Sequence, residues 1–327
     1  MELENPLAKE IRAAESRAQY DAACKRVLSE KRILACIMKN CLEEYRDCTT
    51  QEIAEQYIEG MPQVGQEPVY PDEAPRIRGM GNEDVSLREG TVVYDVRFTA
   101  LVPGTGEPIR LIINVEAQNR FYPGYPLVKR ALFYCSRLIS AQYGTEFTHG
   151  HYEKIKKVYS IWICSNPPQD RKNSIFRYRV AEDILAGDRM VREDKRNYDL
   201  LTVLFLCLGQ MGDETENSAL DLLNVLLSTE NDPDEKLRRL KEDFQIPTTE
   251  EIDREVSLMC NLSQGIEDRG IQKGIQKGIR KGEILGAVKT CRSLQMSEDE
   301  IVRKLRELFS LTEEEAKAYT AAESEED

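Results

Sequence analysis

Two runs of alternating apolar and polar residues, joined by a segment rich in turn-forming residues, give this chain its clearest structural pattern. The first run spans residues 91–102 and the second spans residues 108–118. The connection, Pro103-Gly104-Thr105-Gly106-Glu107-Pro108, combines proline and glycine in a way that favours a tight turn. The pattern therefore predicts a β-hairpin.

The register of this hairpin decides which polar side chains meet. A turn centred between Thr105 and Gly106 pairs Val96 with Val115, and it pairs Asp95 with Glu116. Because side chains alternate along a strand, one face of the hairpin is then apolar. The other face carries the polar residues Asp95, Arg97, Asn114, Glu116 and Gln118.

Two carboxylates at opposed strand positions lie roughly 5 Å apart between Cβ atoms, and like charges at that separation need neutralisation. A divalent cation such as Mg²⁺ is the simplest partner for Asp95 and Glu116, because hard ions bind carboxylate oxygens. The alternative is an ordinary solvated face on a half-exposed hairpin. The pattern alone leaves both interpretations open.

The surrounding segments predict an α/β fold with a mixed sheet. Residues 29–47 have the apolar spacing of an amphipathic helix, and so do residues 126–143 after the hairpin. The run KVYSIWICS, residues 157–165, is typical of a buried strand, and residues 174–180 add an edge strand. A helix, two strands, a helix and a further strand fit a mixed sheet flanked by helices.

The remainder of the chain is predicted to be helical. Residues 198–262 contain the apolar runs LLTVLFLCLGQM and ALDLLNVLLS, and two short helices are capped by Ser297-x-x-Glu300 and Thr312-x-x-Glu315. The predicted organisation is a core over residues 1–200, a helical extension over 201–262, a Gly-repeat segment over 263–283, and a small helical hairpin with an acidic tail over 284–327.

The Gly-repeat segment contains QGIEDRGIQKGIQKGIRKGE, with a glycine before each isoleucine. A four-residue period winds slowly around a helix, and each glycine costs close to ~1 kcal/mol of helix propensity. We therefore expect this segment to become helical only against a partner chain, as in a homo-oligomer, or against nucleic acid. A flexible basic linker is the alternative.

Composition bears on where the protein is located and on whether its cysteines and histidines bind metal. The chain of 327 residues has no apolar run near the ~20 residues that span a bilayer, and its start does not resemble a signal peptide, so we predict a cytoplasmic protein without a membrane partner. Nine cysteines without CxxC spacing indicate reduced, mostly buried residues. The histidine pair His149 and His151 is weak evidence for zinc.

Net charge argues against one class of function. The formal charge of −13 argues against tight, nonspecific coating of DNA, because proteins that hold nucleic acid usually carry a basic surplus. Lysine and arginine are nevertheless enriched in residues 129–137, 154–157 and 171–196. A local basic rim around an acidic centre is compatible with phosphodiester cleavage.

These motifs together resemble a known nuclease superfamily. An Asp on one strand, an acid-x-Lys/Gln triplet on the next, and a helix carrying Arg and Tyr look like the PD-(D/E)XK nucleases. Three sequence segments are similar to those of the Rpn family of recombination-promoting nucleases and transposases: YDVRF, NVEAQNRFYPGYPLVKRALFYCSRLISAQYG and VYSIWIC. The similarity covers roughly residues 15–200. It implies a restriction-endonuclease-like core with C-terminal helical additions.

The resemblance also implies roles for single residues. Asp95 and Glu116 would bind Mg²⁺, with Mn²⁺ or Ca²⁺ as alternatives, and the carbonyl of Ala117 would be a further ligand. Gln118 stands where the superfamily usually has Lys, and it can orient water although it carries no charge. Glu30 is a candidate third carboxylate, unless it is a first-turn residue favoured by its helix dipole.

A positive charge near the phosphate is expected from the helix after the hairpin. Arg130 is the first candidate to contact the scissile phosphate, and Lys129 is the second. Arg130 could instead be a structural partner for a carboxylate.

The function implied by the resemblance is that of a metal-dependent DNA endonuclease linked to recombination and transposition. One alternative is a non-catalytic nucleic-acid-binding or oligomeric assembly protein on the same fold. Another is a nuclease that acts on RNA, since no feature of the sequence distinguishes the two substrates.

Overall fold

A computed structural model describes residues 6–64, 83–86, 90–93, 95–116, 124–187, 190–210, 212–213, 215–228 and 232–322. Within these ranges only the backbone is described for residues 6–13, 17, 83–86, 90–93, 110–116, 264–273, 276 and 322. The chain divides into two compact units, Met1–Ser263 and Gln264–Asp327.

Six strands of the described chain form one mixed sheet in the first unit, so the predicted α/β class is confirmed. Its strands, in order across the sheet, are β1 (Gln63–Val64), β4 (Val96–Leu101), β5 (Pro108–Glu116), β6 (Val158–Cys164), β8 (Leu201–Cys207) and β7 (Ser174–Arg179). β5, β6 and β8 are parallel, and the remaining neighbours are antiparallel. A separate pair consists of β2 (Glu83–Ser86) and β3 (Gly90–Val93).

The described helices include the predicted amphipathic segments at residues 29–47 and 126–143, whereas Pro6–Leu28, Thr50–Glu52 and Lys195–Tyr198 were not predicted. They are α1 (Pro6–Leu28), α2 (Lys31–Cys41), α3 (Thr50–Glu52) with a π-helical turn (Ile53–Tyr57), α4 (Leu127–Ser140), α5 (Lys195–Tyr198), α6 (Ser218–Leu227), α7 (Pro233–Glu242), α8 (Glu250–Ser293), α9 (Glu298–Phe309) and α10 (Glu313–Ala322). In the part of the chain that the structure describes, none of these helices combines the length and apolar character needed to cross a membrane.

Helices cover both faces of the large sheet. The central strand β6 is buried at every position because its alternate side chains enter two different cores. Ile161 and Ile163 belong to the larger core, which also receives residues of α1, α2 and α6. Trp162 and Cys164 belong to the smaller core beneath α4. The sheet therefore fixes α4 and α1 on opposite faces.

The predicted hairpin exists, but its predicted register is wrong by two residues. Val96 pairs with Ile113 rather than Val115, and Leu101 with Pro108 forms the last pair before the turn. The loop closes on Val102, whose backbone N–H donates to Glu107 O at 2.8 Å. A shift of two residues preserves the alternation of faces. It moves the register position opposite Asp95 from residue 116 to residue 114.

The helical prediction for the start of residues 198–262 is also wrong. Leu201–Cys207 is the strand β8, which lies between β6 and β7 and is buried from Thr202 onwards. A fully apolar run does not distinguish a buried strand from a buried helix, because neither periodicity appears in it. The sheet is thus completed by residues beyond 200, and the first compact unit continues to Ser263. The later helices α6, α7 and α8 agree with the prediction.

The second unit confirms both predicted helix caps. The Glu300 carboxylate accepts from Ser297 N at 2.9 Å, and the Glu315 carboxylate accepts from Thr312 N at 2.8 Å. The backbone of the Gly-repeat segment is helical as part of α8. The C-terminal part of α8 packs with α9 and α10 around a small core, formed by Ile284, Val288, Cys291, Ile301, Val302, Leu305 and Ala316.

All nine cysteines are free, as predicted. Seven are buried, whereas Cys41 and Cys48 are half-buried. Burial raises the pKa of the Cys24 and Cys135 thiols to about 12, so these two groups are neutral packing residues at physiological pH.

Trp162 should be the most costly core residue to truncate. Its ring lies 5.6 Å from that of Tyr134 and 5.9 Å from that of Phe205, and its indole N–H donates to Ser160 Oγ at 2.8 Å. We expect Trp162→Ala to lower the free energy of unfolding by about 3–5 kcal/mol, measured by urea denaturation. The control Phe133→Ala, at a half-exposed ring of α4, should cost less than about 1 kcal/mol. Equal losses in both variants would contradict the assignment of Trp162 to the core.

Candidate functional site

Asp95 is held by a lysine that the sequence pattern did not reveal. It lies in a bend directly before β4, and its Oδ1 is 2.9 Å from Lys25 Nζ of α1. The same ammonium group is 2.6 Å from Asp21 Oδ2. Lys25 is buried, and although burial disfavours its charged form, the neighbouring Asp95 and Asp21 carboxylates outweigh this effect and raise its pKa.

The signal that could have identified Lys25 lies in α1. Its neighbours Ala23, Cys24 and Val27 are buried, so Lys25 is a charged residue within an apolar stretch of the helix. A buried lysine requires an anionic partner, and Asp21 four residues earlier supplies only one. The second partner, Asp95, is 70 positions away in sequence and becomes apparent only in the folded chain.

Replacing Lys25 tests this ion cluster. We expect Lys25→Met to lower the free energy of unfolding by about 1–3 kcal/mol, because Asp21 and Asp95 lose the charge between them. Since the pKa of Lys25 is raised in the folded protein, its contribution is complete below the ordinary value of 10.5 and declines only at higher pH, as Lys25 deprotonates. Urea denaturation between pH 7 and 11 measures both effects.

The matched control is Lys129→Met, at an exposed lysine of α4, which should change stability by less than about 0.5 kcal/mol. A Lys25→Met protein as stable as the wild type at pH 7 would contradict the ion cluster.

Glu116 is the last residue of β5, where it pairs in register with Cys164 of β6. Because the register differs from the predicted one, positions 95 and 116 are diagonal rather than directly opposed, which corresponds to roughly 7–8 Å between such neighbours. The Glu116 side chain, Ala117 and Gln118 lie outside the described residues. The pairing of Asp95 with Glu116 around an ion stays a prediction.

Arg130 is held in a fixed position by aromatic residues. Its Nε and Nη2 donate to the hydroxyl of Tyr134 at 3.0 and 2.9 Å, and its Nη1 donates to the hydroxyl of Tyr125 at 3.3 Å. The guanidinium carbon lies 5.2 Å from the centre of the Tyr134 ring and 5.4 Å from the Trp162 ring. Stacking and hydroxyl contacts keep the guanidinium fork oriented while leaving it charged.

Register relates the position of Asp95 to Trp162, the strand residue that lies against Arg130. Trp162, which supports Arg130, pairs with Asn114 of β5. Val96 pairs with Ile113 in the antiparallel hairpin. One position further along, Asp95 therefore stands opposite Asn114. Strands are spaced by about 4.8 Å, so the backbone at Asp95 lies about 10 Å from that at Trp162. Asp95 and the residue that supports Arg130 thus share one row across three strands.

Glu30 has a structural role at the start of α2. It is the N-cap residue, and its Oε2 accepts from Lys31 N at 3.0 Å. A carboxylate at this position is stabilised by the helix dipole, which agrees with the alternative interpretation of Glu30. Its use as a third metal ligand stays a prediction.

The described side chains contain no group of three or more His, Cys, Asp and Glu residues arranged to hold a metal ion. His151 is exposed, and its Nδ1 lies 3.0 Å from Glu153 Oε1 at the surface. Asp95 is the one candidate ligand whose carboxylate is described beside β4, and an ion there needs donors from residues 116 and 117. The chemistry of these donors, carboxylate and carbonyl oxygen, fits Mg²⁺.

Comparison with known proteins adds no family to these observations. A scan of family models, a search of curated proteins and a search of solved structures each found no match to this chain. The likeness to Rpn nucleases therefore depends on the sequence motifs alone.

Proposed function

We propose that this protein is a metal-dependent DNA endonuclease of the Rpn type, built on a restriction-endonuclease-like core. The proposal depends on the register of the sheet, in which the position of Asp95 lies in the same row as Trp162. Trp162 in turn supports Arg130. This register brings the backbone of Asp95 to within about two strand spacings of the backbone of Trp162, whose ring supports the Arg130 guanidinium group. Phosphodiester hydrolysis needs these two kinds of group.

Asp95 and Glu116 would hold the Mg²⁺ ion, which when bound supplies a water of lowered pKa and a Lewis acid for the phosphate. Gln118 accepts or donates a hydrogen bond and so orients water. Lys25 offsets part of the negative charge of Asp95, which makes a second acid nearby less unfavourable.

Arg130 would bind the phosphate. Its planar fork matches two phosphate oxygens, and its position is set before substrate arrives by Tyr134 and Trp162. The guanidinium group would also offset charge that develops on the phosphate in the transition state.

Activity on plasmid DNA, single-stranded DNA and RNA tests the proposal. Each substrate is incubated with the purified chain in the presence and absence of Mg²⁺, Mn²⁺ or Ca²⁺. We expect nicking of plasmid that requires a divalent ion. Cleavage of RNA alone would favour an RNA nuclease, and the lack of cleavage together with the lack of divalent-ion binding by calorimetry would contradict both.

A second candidate function is that of a non-catalytic nucleic-acid-binding or assembly protein. It is favoured by the 2.9 Å contact of Lys25 with Asp95, since the ammonium group already offsets part of the charge of this carboxylate without a metal. The helical Gly-repeat segment would then serve homo-oligomer formation. Sedimentation would compare the oligomeric state of the full chain with that of a chain lacking residues 263–327. These residues lie almost wholly in the second compact unit.

A further inference from the structure

A separate cluster of charged residues lies at the β7 edge of the large sheet. Glu43 opens a short 3₁₀ helix, Glu43–Tyr45, and its carboxylate meets three cations. Its Oε1 is 2.6 Å from Arg177 Nη1 and 3.1 Å from Arg179 Nη1, both on β7. Its Oε2 is 2.7 Å from Lys195 Nζ, at the start of α5. Three positive groups thus converge on one carboxylate.

The positive groups exceed what Glu43 neutralises. The hydrogen bond from Lys195 and the charges of both arginines lower the pKa of Glu43 to about 2, despite its partial burial. Behind them, Lys157 Nζ is 2.9 Å from Glu44 Oε1 and 2.8 Å from Asp199 Oδ2. Glu44 and Asp199 carry one negative charge more than Lys157 supplies, and Lys195 lies 3.5 Å from Asp199 Oδ2. Four cations and three carboxylates thus leave one positive charge in the whole cluster. The outer group retains a positive surplus.

The cluster has an inner and an outer part. Asp199 is buried, and its Oδ1 has no hydrogen-bond donor among the described residues. It borders a cavity of about 10 Å³, which is about the size that one water molecule needs. The outer cations are accessible, because the side chains of Arg177, Arg179 and Lys195 are 40%, 38% and 49% exposed. A ligand can reach the cations without entering the cavity.

We propose that Arg177, Arg179 and Lys195 form a binding site for a phosphomonoester, and that Glu43 occupies this site as an internal anion that the ligand displaces. A carboxylate offers two oxygens and one negative charge, so both arginines share the single Oε1 of Glu43. A phosphomonoester offers three terminal oxygens and a charge of about −1.5 to −2, which matches three separate donors better.

This inference is independent of the proposed nuclease site. β7 and β4 are separated by three strands of the sheet, so the two regions lie about 19 Å apart. The ligand is either a free phosphate compound or the terminal phosphate of a nucleic acid strand, because the same three cations would bind both.

Calorimetric titration of the full chain at low salt tests the site. The ligands are inorganic phosphate, a 5′-phosphorylated oligonucleotide and the same oligonucleotide with a 5′-hydroxyl. We expect Glu43→Gln to bind a phosphomonoester at least about tenfold more tightly than the wild type, because the competing internal charge is removed. Adding Arg177→Gln to this variant should reverse the gain.

The control is Glu182→Gln, which removes a surface carboxylate paired with Arg192 and should leave phosphate binding unchanged. If the 5′-phosphorylated oligonucleotide binds more tightly than both the 5′-hydroxyl oligonucleotide and inorganic phosphate, the ligand is the terminal phosphate of a nucleic acid strand. Equal affinity for inorganic phosphate identifies a small phosphate compound. Equal binding of the two oligonucleotides without binding of inorganic phosphate, or no gain in Glu43→Gln, would overturn the site.

A second measurement uses only the wild type and one variant, in case Glu43→Gln fails to fold. Phosphate should raise the thermal unfolding midpoint of the wild type, since a ligand that binds only the folded state stabilises it. The rise should vanish in Arg179→Gln. A similar rise in both proteins would also overturn the site.

Discussion

Asp95→Asn should lower the rate of divalent-ion-dependent plasmid nicking by at least about 100-fold. The substitution keeps the shape of the side chain but removes the charge that the proposed Mg²⁺ ion requires. Glu116→Ala should produce a loss of the same order, because the ion would need both carboxylates. The assay is the initial rate of supercoiled plasmid loss at saturating Mg²⁺, with unfolding by urea recorded for each variant.

Asp21→Asn is the matched control for Asp95→Asn. In the wild type, Lys25 Nζ lies 2.6 Å from Asp21 Oδ2 and 2.9 Å from Asp95 Oδ1. Each variant replaces one of these two charged partners of Lys25 with a neutral amide. Their effects on stability should therefore be similar, whereas only Asp95→Asn should stop cleavage. A folded Asp95→Asn protein that cuts as fast as the wild type would remove Asp95 from the proposed site. Equal losses of activity in both variants would assign the effect to Lys25 instead.

Arg130→Lys should lower the nicking rate by about 100-fold while the fold is retained. Lysine keeps the positive charge but loses the planar fork that can bind two phosphate oxygens. It also loses the stacking contacts at 5.2 and 5.4 Å to Tyr134 and Trp162, so its ammonium group is no longer held in one orientation. Rates measured over a range of plasmid concentrations separate weaker binding from slower chemistry.

Tyr134→Phe provides the comparison for Arg130→Lys. It removes the hydroxyl that accepts from Arg130 at 2.9 and 3.0 Å but leaves the ring against Trp162. We expect a loss of less than about tenfold, because Arg130 keeps its charge and its stacking. Arg130→Lys that cuts normally would refute a role in phosphate binding. A loss of stability without a loss of rate would favour the structural alternative for Arg130.

Local patterns predicted much of the fold because the relevant contacts are close in sequence. The amphipathic spacing of α2 and α4 and the continuous apolar run of β6 each report burial directly. The capping boxes at Ser297 and Thr312 are complete within four residues. Periodicity failed at β8, where every position but the first is buried and the run has no polar face.

The register of β4 and β5 needed the loop geometry as well as the alternation. Gly104 and Gly106 both adopt the left-handed conformation, with φ of 81° and 70°, which lets the loop close on Val102. A shift of two residues leaves every side chain on the same face, so hydrophobic patterning could not detect it. The consequence for the site is large, because Asp95 and Glu116 change from opposed to diagonal positions.

By itself the sequence determined the α/β class, the predicted hairpin and the helix that carries Arg130, because period and turn chemistry act over short distances. Only the tertiary structure decided that Lys25 neutralises Asp95 and that Arg177, Arg179 and Lys195 surround Glu43. These charges are 70 to 152 positions apart along the chain, and no local pattern records which of many such pairs will meet. They come together because the folded chain places the start of β4 beside α1, and places β7 and α5 beside the Glu43–Tyr45 turn.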